Sequence, residues 1–226
     1  MDLVKRLHLE LQDYLVTNPS RVVPYHNNAH MEFVWDIANN IWREEIALPA
    51  SVRNDVTAYP DPDARVSLML AAMLHDYGHS AGEKPDDVNI EVAVAALQDF
   101  YSRSKVIKFL EKEGMITEAL LRNAISAIRI TEFPFIHQPT TLIHKVLRDA
   151  DLLYTAVRAI PEIVLEDLRS EMQVRMGRPI SIKEMLVGQK AFLDNAKLFT
   201  VTGQAMWNKL AQPFYDAMSE YATHRK

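Results

Sequence analysis

Apolar residues recur at steps of three and four along most of this chain, and that spacing restricts it to packed helices. Leu3, Leu7, Leu11 and Leu15 form one stripe, and Phe33, Val34, Ile37, Ala38 and Ile41 form another. Residues so spaced share one face of a 3.6-residue helix. Strand-like alternation is scarce, and only six glycines occur. The pattern predicts further helices over about 63–76, 87–101, 103–113, 117–131, 139–158, 161–176, 181–200 and 203–222. "TNPS" stops the first helix, and "LPASVRNDVTAYPDPD" is the longest irregular stretch. Gly114 fits a C-terminal cap, Thr117 followed by Glu118 suits a helix start, and Ser181 with Glu184 makes a capping box. The expectation is an all-α fold, one compact multi-helix domain over residues 1–226. If the chain forms two lobes, they part near Pro161, although composition does not change there.

Composition narrows the function. At 226 residues, folding buries roughly 70% of the extended surface, so no metal or disulfide is needed merely to hold the chain together. Cysteine is absent, which excludes disulfides, thiolate zinc sites and a cysteine nucleophile. The formal net charge of -5 argues against a nucleic-acid duplex or an anionic membrane as partner. It leaves room for a small anionic substrate if a metal supplies local positive charge. The N-terminal "MDLVKRLHLELQDYLV" has no uninterrupted apolar core, unlike a secretory signal. No apolar run approaches the ~18 residues of a membrane helix. A cytoplasmic location is expected, and nothing in the sequence specifies an oligomeric state.

Against this background, a few residues stand out. "LMLAAMLHDYGHSAG" (68–82) runs as an apolar helix straight into His75 and Asp76, with His79 soon after. A histidine and a carboxylate at the end of a buried helix cost desolvation energy unless paired or bound. His26 and His30 in "YHNNAH" bracket a predicted helix start and can converge on one cavity. Asp151 lies in "LRDADLLYT", inside another apolar-periodic segment. Two histidines and two carboxylates make a nitrogen–oxygen site suited to zinc, iron or manganese, with magnesium or manganese in a second site. His8, His137, His144 and His224 have no such company and read as structural.

In order and company, these residues resemble the H…HD…D signature of the HD-domain metal-dependent phosphohydrolase superfamily, a helical fold. The resemblance makes His30, His75, Asp76 and Asp151 the metal ligands. "VPYHNNAH" is similar to the Y-H-N-x-x-H motif of the cyclic-nucleotide phosphodiesterase catalytic domain. "LAAMLHDYGHSAG" is similar to that family's HD-x-x-H-x-G segment, with Asn89 matching a following asparagine. "AIRITEFPF" resembles a later segment bearing T-D, with Glu132 in place of the aspartate, and "LAQPFYDAMSEY" resembles the closing helix. The sharp motifs are confined to 25–30, 75–82 and 149–151. Departures are clear as well. The Glu- and His-rich stretch of the family is replaced by "NIEVAVAALQDFYSRSKVIKFLEKEG". The nucleobase-clamping glutamine and aromatic have Gln204 and Trp207 as their nearest counterparts, and the chain is shorter than the usual catalytic domain.

The resemblance implies hydrolysis of a small phosphorylated substrate, a nucleotide-like diester, by metal-activated hydroxide. Asp76 would bridge two metals. His26, beside but outside the ligand set, would be the general acid, oriented by a carboxylate for which Glu91 is the sequence candidate. His79 would hydrogen-bond the attacking hydroxide or a metal-held water. Tyr25 and Asn27 are expected to order the loop that carries His26. Rival readings are an HD-type nucleotidase, which needs no acid at His26, a di-iron HD oxygenase, and a non-catalytic metal-binding helical sensor.

Overall fold

A computed structural model of the chain describes residues 3–20, 22–53, 62–158 and 160–225. Every regular element among them is helical. The centre is set by the most apolar helix, α4 (Pro62–Leu74), in which Leu68 to Leu74 are all fully buried. A helix that is apolar all round has to be covered on every side. Covering it are α1 (Leu3–Thr17), α2 (Asn28–Ala47), α5 (Asp86–Arg103), α7 (Ala119–Ile130) and α8 (Leu142–Arg158). The α1 stripe of Leu7, Leu11 and Leu15 is buried as its spacing predicts. Each such leucine contributes about 1.5–3 kcal/mol by leaving water.

Shorter pieces complete the chain. Helix α3 (Ala50–Arg53) and α6 (Lys105–Lys112) flank this core in sequence. A π-helical segment, Ile163–Leu168, runs directly into α9 (Arg169–Met176), followed by α10 (Ile182–Asn195) and α11 (Val201–His224). A second apolar cluster lies in this C-terminal part, around Val164, Leu165, Met185, Phe214 and Met218. Leu168 and Trp207 pack against both clusters, so side chains are shared across the Pro161 region. No helix among the described residues is long and apolar enough to cross a membrane.

Several predicted boundaries coincide with observed caps. Gly114 has φ +65°, and the Met115 N–H reaches back to the Leu110 carbonyl at 2.9 Å, closing α6. The Ser181 hydroxyl accepts the Glu184 N–H at 3.1 Å and opens α10. Two differences have physical reasons. Helix α4 ends at Leu74, so His75 and Asp76 sit in the turn beyond it, where Gly78 takes φ +76°. The predicted helix over 181–200 stops at Asn195, because Phe199 and Thr200 are captured by Asp149. Of the long irregular stretch, residues 54–61 lie outside the described residues, and α3 occupies part of the remainder.

The capture at Asp149 fixes α11. The fully buried Asp149 carboxylate accepts the N–H groups of Phe199 and Thr200, at 2.9 and 2.8 Å, and the Thr200 hydroxyl at 2.6 Å. Thr200 in turn caps Gly203 at 2.9 Å. A Cβ on Gly203 would lie 2.5 Å from Asp149 Oδ2, so only glycine fits this close approach. Glu45 of α2 accepts the Thr202 N–H at 2.6 Å. Two buried acids therefore meet the electropositive start of α11. Burial raises Asp149 to about 6 against the opposing pull of these hydrogen bonds. Asp149→Ala should cost about 2–4 kcal/mol, since it strands buried donors and removes a helix cap together. Urea unfolding of the variant and the wild type measures that loss.

Candidate metal centre

Three helices deliver four side chains to one point. His30 is placed by the start of α2, where the Asn27 side chain accepts the His30 N–H at 3.1 Å. His75 and Asp76 follow α4, and Asp151 projects from α8. His30 Nε2 lies 3.3 Å from His75 Nε2, 3.0 Å from Asp76 Oδ2 and 3.3 Å from Asp151 Oδ1. His75 Nε2 lies 3.0 Å from Asp76 Oδ2 and 3.6 Å from Asp151 Oδ1. The structure thus brings together all four residues that the sequence named as ligands.

Proton positions show what this cluster lacks. His75 Nδ1 faces the Ala72 carbonyl at 2.9 Å, so the ring donates there and turns Nε2 toward the cluster. The carboxylates offer lone pairs as well. Only positive charge between these atoms reconciles them, either protons on the imidazoles or a metal ion. Without an ion, burial opposes charge on His75, yet Asp76 and Asp151 raise its pKa well above the imidazole range. The histidines in turn hold Asp76 and Asp151 well below the carboxylate range despite their burial. Metal–ligand bonds of ~2.0–2.2 Å put neighbouring donor atoms about 3–3.6 Å apart, which matches the separations here. The donor set therefore fits a divalent transition metal.

Beside this cluster lies a second group, His26, His79 and Glu171. Glu171 comes from α9 and is buried. Its Oε1 accepts the N–H of Tyr25 at 2.7 Å and of His26 at 3.2 Å, and its Oε2 meets His26 Nδ1 at 2.5 Å. Burial works against a charged His26, but Asp76, Glu171 and Asp151 outweigh it and raise its pKa. His79 stacks on His26 with ring centroids 3.9 Å apart. Burial, and then the neighbouring His26, lower His79 to about 4. Its Nδ1 accepts the Ala81 N–H at 3.2 Å, so the neutral ring carries its proton on Nε2. Gly82, at φ +84°, lets this turn touch α9, since a Cβ there would meet the Glu171 carbonyl at 2.7 Å.

Glu91 does not orient His26. Its carboxylate pairs with Arg129 at 2.9 Å on the surface, and Glu171 takes the role. No sequence motif marks Glu171, because its partners lie some 145 residues earlier in the chain. Tyr25 and Asn27 do order their loop, through Glu171 and through the cap on α2.

Both groups open into a cavity of about 460 Å³. Leu168, the last residue of the π-helical segment, and Glu171, Met172 and Arg175 of α9 line the cavity at helical spacing. Such segments interrupt regular helices most often at functional sites. Acids lining the cavity are Asp76, Asp86, Glu132, Asp151, Glu171 and Glu184, against Arg175 as the only Lys or Arg among the lining residues. A phosphate can enter such a wall only where cations already neutralise it. Gln204 and Trp207 are absent from the lining: Gln204 donates to the Leu198 carbonyl, and Trp207 packs between the apolar clusters. Gln189 and Phe192 of α10 line the cavity instead, with Phe133 and Phe135 completing an aromatic wall. Their i, i+3 spacing behind the Ser181 cap was the available sequence signal.

Compared with known protein families, with curated proteins and with solved structures, the chain matches none.

Titration with Zn²⁺ or Mn²⁺ should raise thermal stability. At a free ion concentration 100 times Kd, an ion held only by the folded state adds about 2.7 kcal/mol. Asp76→Ala should keep its helical circular dichroism and lose that gain. The affinity should weaken as pH falls, because protons compete for the same imidazoles. Failure of both ions to stabilise the wild type would remove the metal reading.

Proposed function

We propose that this chain is a metal-dependent phosphohydrolase of the HD type, acting on a phosphodiester of the cyclic-nucleotide kind. The observation that carries the proposal is the pairing of two arrangements on one cavity wall. One is a cluster of lone pairs that calls for a cation, and the other is a histidine–carboxylate pair next to it. His30, His75, Asp76 and Asp151 would hold the metal. A divalent ion held there would lower the pKa of water from ~15.7 toward ~7 and neutralise phosphoryl charge.

The chain's own groups supply the rest. Glu171 occupies His26 Nδ1, which leaves Nε2 as the nitrogen free to give a proton. The surrounding carboxylates favour the protonated ring, as a general acid needs. A diester releases an alkoxide, a poor leaving group without that proton. His79 is neutral and presents Nε2–H as a hydrogen-bond donor. The Gln189 side chain makes no hydrogen bond among the described residues, and its amide offers both a donor and an acceptor. With the faces of Phe192 and Phe135 nearby, it suits a planar heterocycle. A nucleoside monophosphate also releases an alkoxide that needs a proton, so the His26–Glu171 pair serves either ester, and the similarity of "VPYHNNAH" to the Y-H-N-x-x-H motif is what favours the diesterase.

A metal-supplemented screen of purified protein against cyclic nucleotides, linear diesters and nucleoside monophosphates tests the reading directly. His26→Ala should retain metal and lose ~10²–10⁴-fold in turnover on a natural diester. The loss should shrink on a p-nitrophenyl diester, whose leaving group departs unprotonated. Equal losses on both esters would instead make His26 a positioning residue. Glu171→Gln should move the alkaline limb of the pH–rate profile to lower pH. The sign follows from His26, since removing the carboxylate lowers its pKa and the acid form is lost sooner as pH rises.

A further inference from the structure

Outside the four-residue cluster, three more donors meet on the cavity wall. His26, His79 and Glu171 each offer one ligand atom, and these atoms lie within 4.8 Å of one another. Glu171 Oε2 is their common point, 2.5 Å from His26 Nδ1 and 3.6 Å from His79 Nδ1. Packing holds the three in place. Glu171 is buried, and its Oε1 is engaged by the N–H groups of Tyr25 and His26, which leaves Oε2 to the histidines. The His26 and His79 rings stack with centroids 3.9 Å apart. Two histidines and one glutamate are a donor set that zinc accepts, with a water as fourth ligand. All three residues line the cavity, from which that water can come.

Hydrogen bonds now occupy these lone pairs. One proton is shared between His26 Nδ1 and Glu171 Oε2, and His79 Nδ1 accepts the Ala81 N–H at 3.2 Å. A zinc ion entering here releases the shared proton to solvent and displaces the Ala81 bond. Losing two hydrogen bonds, one of them to a charged group, makes the site about 10²–10³-fold weaker than the same donors left free. It therefore fills after the four-residue cluster, which has one more protein donor. Filling it changes His26. A ring with a metal on Nδ1 can no longer be an imidazolium, and its remaining proton leaves Nε2 only by forming an imidazolate. Such a ring is far too weak an acid to protonate a departing alkoxide.

We propose that His26, His79 and Glu171 form a second, weaker zinc site, separate from the four-residue cluster, and that zinc bound there inhibits the enzyme by taking the nitrogen that must stay protonated for His26 to act as an acid. The site itself stands on the donor geometry; its inhibitory effect rests on the diesterase reading.

The test is equilibrium dialysis of the full chain against rising Zn²⁺, with the bound metal counted. The wild type should take up two ions per chain, the second at higher free zinc. Asp76→Ala should lose the tight ion and keep the weak one, whereas His26→Ala and Glu171→Gln should keep the tight ion and lose the weak one. A single ion in the wild type overturns the proposal. So does a second ion that survives both His26→Ala and Glu171→Gln, since that ion would be held beside the first one by Asp76. If Glu171→Gln does not fold by circular dichroism, His79→Ala takes its place. Raising zinc from the first filling to the second should cut turnover on a natural diester by ~10²–10⁴-fold, the worth of the acid, and leave a p-nitrophenyl diester nearly unaffected. Equal inhibition of the two esters overturns the inhibitory role. If the chain cleaves no diester at all, the diesterase reading fails by itself, and the count of bound ions still decides the site.

Discussion

Everything at this site follows from lone pairs forced toward each other in a buried place. Two imidazole nitrogens and two carboxylate oxygens lie 3.0–3.6 Å from one another, and only positive charge, from imidazole protons or from a metal ion, reconciles them. Such an arrangement survives only if packing elsewhere holds it. The packing comes from α4, whose apolar surface gathers α2 and α8 against itself and so brings His30 and Asp151 to the turn that carries His75 and Asp76. A helix with polar residues on one face would not have demanded partners on all sides.

The legible parts of this architecture were those encoded locally. Helical spacing, the Gly114 and Ser181 caps and the buried stripe of α1 each depend on residues a turn or two apart. His75, Asp76 and Asp151 stood out because polar groups interrupt apolar runs, and His30 because it pairs with His26 at a predicted helix start. Glu171 was invisible for the opposite reason. It sits in a polar-rich helix where one more acid does not stand out, and its importance appears only when α9 docks on the loop at Tyr25. The same holds for the break at Asn195, which a single buried acid on α8 imposes from a distance. Long-range hydrogen bonds to the backbone leave almost no trace in the spacing of side chains.

The cavity combines two chemistries that seldom share a wall. Its lining mixes acids that call for cations with aromatic and methionine side chains and a few amide and hydroxyl groups. Helix α8 serves both the cavity and the scaffold. Asp149 clamps α11, and Asp151 faces the cluster and lines the cavity.

Glu171 also couples two halves of the chain that could come apart at different times. The four cluster residues hang on α2, α4 and α8, which belong to the first apolar core, whereas Glu171 arrives with the C-terminal helices. Proteins open in cooperative units, and the less densely packed units open first. A chain whose C-terminal helices lift away would keep its cation-binding cluster and lose the group that aims His26. It would become a metal-holding but acid-less protein, in which proton delivery is switched off by partial unfolding while the ion stays in place.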